Sequence, residues 1–97
     1  MPIQGFSCKA TEKFFHEGKG HHKRGWSSVA DAVARKLDFL DAATMLNDLA
    51  SPPGNRLEAL SGDLDGFWSI RVNSQWRIIF TWKDDLGPDQ VAVVDYH

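Results

Sequence analysis

Two hydrophobic periods divide this chain. Up to about residue 50, apolar side chains recur at steps of three and four; beyond Arg56 they alternate every second residue. A helix gathers the first spacing into one stripe, and a strand gathers the second onto one face. The longest predicted helix runs from about Ser27 to Leu49, where Val29, Val33, Leu37, Leu40, Ala43, Leu46 and Leu49 fall into line. Ser28 and Asp31 resemble a capping box at its start. Ser51-Pro52-Pro53-Gly54-Asn55 ends it, because proline cannot continue a helix. A shorter helix, Ala10 to Glu17, carries Phe14 and Phe15 and stops at Gly18. Ile3 to Cys8 reads as a first strand, with Cys8 as a small buried hydrophobe on it. Between the two helices, Lys19-Gly20-His21-His22-Lys23-Arg24-Gly25 is basic, glycine-punctuated and aperiodic, which predicts a mobile loop.

The second half predicts strands at Arg56–Ala59, Phe67–Val72, Gln75–Trp82 and Val91–Tyr96. Turns fall at Gly62–Gly66, near Asn73-Ser74 and at Asp84–Asp89. Consecutive hairpins make an α+β fold, with a mainly antiparallel twisted sheet and helices packed on one face. A length of 97 residues suits one domain spanning 1–97.

Alternation then sorts the side chains. Trp68, Ile70, Val72, Trp76, Ile78, Phe80 and Trp82 are too apolar to leave in water and must meet the helices. Arg71 and Arg77 therefore share the open face. Leu57 turns inward by the same rule, leaving Arg56 and Glu58 beside the two arginines. The last strand brings Asp95, Tyr96 and His97 to its end, although alternation cannot put all three on one face. Arginine forks match phosphate oxygens and stabilise charge building on phosphorus. Carboxylate, phenol and imidazole can move protons to and from a 2′-oxygen and a leaving 5′-oxygen. Work on a phosphodiester is one reading of this surface; solvated strand charge is the other.

Charge sharpens the first reading only modestly. The net charge is −2, but residues 1–37 carry seven Lys/Arg against three acids, and residues 38–97 carry four against ten. A basic edge of this kind can meet phosphate while the acidic part faces elsewhere. No apolar run approaches the roughly 20 residues of a membrane helix, and Met1-Pro2-Ile3-Gln4-Gly5-Phe6 has no signal-peptide pattern. One cysteine suits a reducing cytoplasm. His21 and His22, with His16 and Cys8 upstream, fit no familiar zinc spacing, so neither a metal site nor a cofactor is expected. Trp26, Trp68, Trp76 and Trp82 read mainly as core; Trp76, beside Arg77, is the candidate for stacking on a base.

Several segments together resemble the HigB-type toxins of the RelE/ParE superfamily, found in bacterial toxin–antitoxin modules. They are Leu37-Asp38-Phe39-Leu40-Asp41-Ala42-Ala43, Pro53 to Gly62, Gly66-Phe67-Trp68-Ser69-Ile70-Arg71-Val72-Asn73, Trp76-Arg77-Ile78 and the closing Asp95-Tyr96-His97. The resemblance covers nearly the whole chain. It implies a RelE-like fold and a metal-independent, ribosome-dependent mRNA endoribonuclease acting in the 30S A site. It further implies neutralisation by a HigA-like helix-turn-helix antitoxin, Arg77 near the scissile phosphate, and Asp95, Tyr96 and His97 in the active site. Two positions depart from the pattern. Glu58 stands where a catalytic histidine is usual, and Ser61 stands where a lysine often precedes the glycine. Both departures predict a weaker nuclease or a different base, with Glu58 the candidate base and His97 the candidate acid. Arg56, Arg71, Lys23 and Arg24 are the candidate RNA contacts. A ParE-like inhibitor of DNA gyrase, which binds without catalysis, is the alternative within the same superfamily.

Overall fold

The computed structural model describes residues 1–95; Tyr96 and His97 lie outside the described residues. The first helix, α1 (Lys9–Glu17), ends as its sequence requires: Gly18 takes a left-handed φ of 71° and returns its N–H to the Phe14 carbonyl at 2.8 Å. The second helix, α2, spans Ala30–Ala42. Four strands follow, β1 (Glu58–Ala59), β2 (Phe67–Arg71), β3 (Trp76–Lys83) and β4 (Gly87–Asp95), forming one antiparallel sheet in the order β1-β2-β3-β4. The α+β arrangement expected from the two hydrophobic periods is therefore present.

The long predicted helix is broken. Its apolar stripe survives, since Val33, Leu37, Leu40, Ala43 and Leu49 are all buried, but the backbone changes course at Ala43, whose ψ of 138° is extended. Asp48 explains the break. Its carboxylate accepts from the Thr44 N–H, the Thr44 hydroxyl and the Met45 N–H at 3.0–3.2 Å, which starts a separate 3-10 turn over Leu46–Ala50. A short acidic side chain competes for amide groups in this way and so interrupts helices. The Ser28/Asp31 capping box also fails to form. A 3-10 turn at Ser27–Val29 leads into α2, and no side chain caps it.

The first predicted strand is reduced to a single parallel bridge between Phe6 and Val91. Backbone bonds from Gln4 N–H to Pro88 O and from Val91 N–H to Gly5 O still lay the N-terminal segment along β4. Regular pairing is disrupted where β4 carries an extra residue between Asp89 and Ala92, opposite Ile79–Thr81 of β3, and Gln90 adopts φ 51°. The last strand begins at Gly87, earlier than the predicted Val91, because the turn closes tightly through Leu86 N–H to Lys83 O at 3.0 Å.

The core lies between the helices and one sheet face. Leu37, Leu40, Val33 and Leu49 meet Ile70, Ile78, Phe80 and Val91, all fully buried. Burying each such side chain contributes about 1.5–3 kcal/mol relative to leaving it in water. Thr11 fastens α1 to this arrangement by accepting the Val93 N–H through its hydroxyl at 3.2 Å.

Candidate active site

The other face of the sheet was expected to be open, and it is not. Ser69, Arg77, Ile79 and Ala92 on that face are buried. Arg77 is only 5% exposed, because its guanidinium lies back across β2. Nε donates to Ser69 Oγ at 2.7 Å, and Nη2 donates to Arg56 O at 2.5 Å and to Ser69 O at 3.4 Å. Arg77 thus ties β3 to β2 and to the residue that leads into β1. The register places Arg71 directly opposite Arg77, as alternation predicted, and Glu58 opposite Ser69. Arg71 is half-buried, with Nε donating to Asn73 O at 3.0 Å.

Arg56, Glu58, Arg71, Asn73, Ser74 and Arg77 line one open cavity of about 360 Å³. Three arginines and one glutamate thus share the lining of a single space, with the Arg77 guanidinium seated in its wall. Sequence reasoning missed Ser69, Asn73 and Ser74. Asn73 had a readable signal, being an asparagine at a hairpin tip; its Oδ1 accepts the N–H groups of Gln75 and Trp76 at 2.9 and 2.7 Å.

The remaining candidates lie elsewhere. Asp95 pairs with Trp76 and Arg77 pairs with Val94, so Asp95 leaves the sheet on the Trp76 side, where its carboxylate accepts from Gln75 Nε2 at 3.0 Å. Tyr96 and His97, the other two terminal candidates, lie outside the described residues. Lys23, Arg24 and Trp76 line a second cleft of about 280 Å³ with Cys8, Gly25, Trp26 and Val93. Alternation along β3 separates this cleft from the arginine cavity, since Trp76 and Arg77 face opposite ways. The basic loop that supplies Lys23 and Arg24 is anchored, contrary to its sequence. His21 packs edge-on against Phe14 at 4.7 Å, and Gly25 sits so close to Trp76 that a Cβ there would lie 2.7 Å from the indole.

Cys8 is half-exposed and precedes α1, so it is not the buried strand residue expected. Burial pushes its thiol pKa up, but hydrogen bonds from Thr11 and Ala10 and the nearby Arg24 charge outweigh this and lower it. Among the described residues, no three His, Cys, Asp or Glu side chains are grouped to hold a metal ion. No helix there is long and apolar enough to cross a membrane.

The chain as a whole has counterparts among known proteins. Residues 4–97 match the family model for the RelE-like toxin HigB of type II toxin–antitoxin systems. The chain belongs to the HigB-like toxins. It is 49% identical to Toxin HigB-1 of Vibrio cholerae over 82 residues, covering 84% of this chain and 85% of the relative. It is also 38% identical over 78 residues to Endoribonuclease HigB of Proteus vulgaris, covering 80% and 82% respectively. A solved structure, the YoeB-YefM complex from Staphylococcus aureus, matches with TM-score 0.59 at 22% identity over 100% of this chain and 97% of that one. That likeness establishes the RelE-like fold of this HigB-like toxin. As a type II module toxin, it has an antitoxin partner.

Proposed function

We propose that this HigB-like toxin cleaves mRNA in the A site of translating ribosomes, without a metal ion, and is neutralised by a HigA-like helix-turn-helix antitoxin in the bacterial cytoplasm. The single observation carrying the reading is the convergence of Arg56, Arg71, Arg77 and Glu58 on one cavity. Endoribonuclease activity is further supported by the family match and by the Proteus vulgaris relative. Both favour RNA cleavage over the gyrase-inhibitor alternative.

In the proposed chemistry, Glu58 takes the proton of a ribose 2′-hydroxyl, and the 2′-oxygen attacks the adjacent phosphorus. Arg71 and Arg56 neutralise the charge that grows on the equatorial oxygens, in a space where fixed donors need not reorganise. Arg77 holds the strand carrying Glu58 at the required distance. His97 gives a proton to the departing 5′-oxygen. Lys23, Arg24 and Trp76 bind RNA outside the reacting centre, where cations meet backbone phosphates and an indole face can stack.

Purified toxin added to translating ribosomes should generate new mRNA 5′ ends at codons held in the A site. Deleting His97 should abolish those ends, and Glu58→His should increase their rate of formation. Absence of new ends with the parent protein, together with inhibited gyrase supercoiling, would reverse the assignment.

A further inference from the structure

Next to the arginine cavity lies a buried amide that the proposed chemistry does not use. Asn55 is 0% exposed and ends the 3-10 turn Pro53–Asn55, one residue before Arg56. Its side chain is satisfied from two directions. Oδ1 accepts from Lys36 Nζ on α2, and Nδ2 donates to the carbonyls of Leu49 and Ser51 at 3.3 Å each. A buried amide bound on both ends fixes the backbone around it, since any alternative position leaves a polar atom without a partner. Arg56 then takes φ 47° and ψ 57°, a left-handed conformation that arginine adopts rarely. In this position its carbonyl accepts Nη2 of Arg77 at 2.5 Å. The segment is therefore gripped by Lys36 from the helix side and by Arg77 from the sheet side. From between these two grips, the side chains of Arg56 and Glu58 reach the cavity wall.

We infer that Asn55, held by Lys36, is a positioning residue that sets the reach of Arg56 and Glu58 and completes the seat of the Arg77 guanidinium. The inference rests on the reading of the arginine cavity as the site of RNA cleavage. It extends that site to α2, whose described residues do not line the cavity. Burial, and after it the Arg35 charge, lower the Lys36 pKa, so this ammonium bears a desolvation cost while bonded to Asn55.

The test compares parent toxin with Asn55→Ala, Lys36→Met and Lys36→Arg. Cleavage is measured on ribosomes programmed with a defined mRNA, and exchange of the Arg77 Nε–H is measured by NMR in the toxin alone. Asn55→Ala and Lys36→Met should lower kcat about tenfold to a hundredfold, the scale of a misplaced catalytic geometry. KM should stay within about twofold, because positioning acts on the chemical step. Lys36→Arg, which keeps a cationic donor, should recover most of kcat. The Arg77 Nε–H should exchange faster in the two disabling variants and at the parent rate in Lys36→Arg. If Asn55→Ala does not fold, Lys36→Met alone carries the comparison. Parent kcat with parent exchange in folded Lys36→Met would overturn the inference, as would a rise in KM with kcat intact. Failure of the parent to cleave any mRNA would sink the cleavage reading instead. In that case the exchange rates still decide whether Asn55 and Lys36 seat Arg77.

Discussion

The arginines opposite one another on β2 and β3 share a residue type and a face but differ in what holds them. Arg77 is buried and donates to Ser69 Oγ, Ser69 O and Arg56 O, whereas Arg71 is half-buried and donates to the carbonyl of Asn73. Truncating a buried charged donor leaves its acceptors unsatisfied. Arg77→Ala should therefore cost about 2–4 kcal/mol of stability as well as activity. Arg71→Ala is the cleaner probe of chemistry. It should reduce cleavage about a hundredfold to a thousandfold, as loss of one transition-state donor does. Its unfolding free energy, read from urea titration, should fall by less than about 1 kcal/mol. Equal loss of stability in both variants would show that Arg71 is as structural as Arg77.

At the level of elements, two short segments govern how the helical layer meets the sheet. The first is the 3-10 turn over Leu46–Ala50, built on Asp48. Its hydrogen bonds from the Thr44 backbone and side chain and from the Met45 backbone lower the carboxyl pKa below the ordinary 3.8. A carboxyl lowered on folding contributes stability that is present above the unfolded value and lost as pH falls through the folded one. Asp48→Ala should therefore be less stable than the parent at pH 7, and the difference should shrink as pH falls below 3.8. Urea midpoints at neutral and acidic pH would check this; a difference that does not vary with pH would exclude the carboxylate as its source. The second segment is the basic loop, where Gly25 rests on Trp76. Gly25→Ala places a methyl 2.7 Å from the indole, so the loop must move away at a cost of about 1–3 kcal/mol. Thermal unfolding with tryptophan fluorescence should show a lower transition and an altered Trp76 signal.

Across the whole molecule, charge is divided more unevenly than the net value of −2 indicates. Lys19, Lys23 and Arg24 belong to the basic first 37 residues, and most of the acids follow. Lys23 and Arg24 line the cleft with Trp76, on the opposite side of β3 from the arginine cavity. Each phosphate contact adds roughly one unit to the salt slope of binding. Replacing Lys19, Lys23 and Arg24 with serine should therefore weaken ribosome association and flatten its dependence on salt by about two to three units. An unchanged slope in a sedimentation assay would mean that this cleft meets no phosphate.

The sequence by itself determined that two helices precede an antiparallel sheet and which face the residues of β2 and β3 take. These depend on periods of two and of three to four, which local chain geometry imposes whatever the distant contacts. Val33, Leu37, Leu40, Ile70, Ile78 and Phe80 are core for that reason. The pairing of Arg71 with Arg77 was legible too, because one hairpin sets its own register. Tertiary structure decided the rest. Asp48 broke the long helix, though not its apolar stripe, with side-chain bonds that no periodicity encodes. Parity alone could not say that Arg77 would bend back over β2 into a buried seat, because that depends on a serine of β2 and on the Arg56 carbonyl ahead of β1. Nor could spacing place Lys23 and Arg24 with Trp76 in a cleft apart from the arginines. Alternation says which way a side chain leaves its strand; what it meets there depends on segments far along the chain, brought close only when the core is packed.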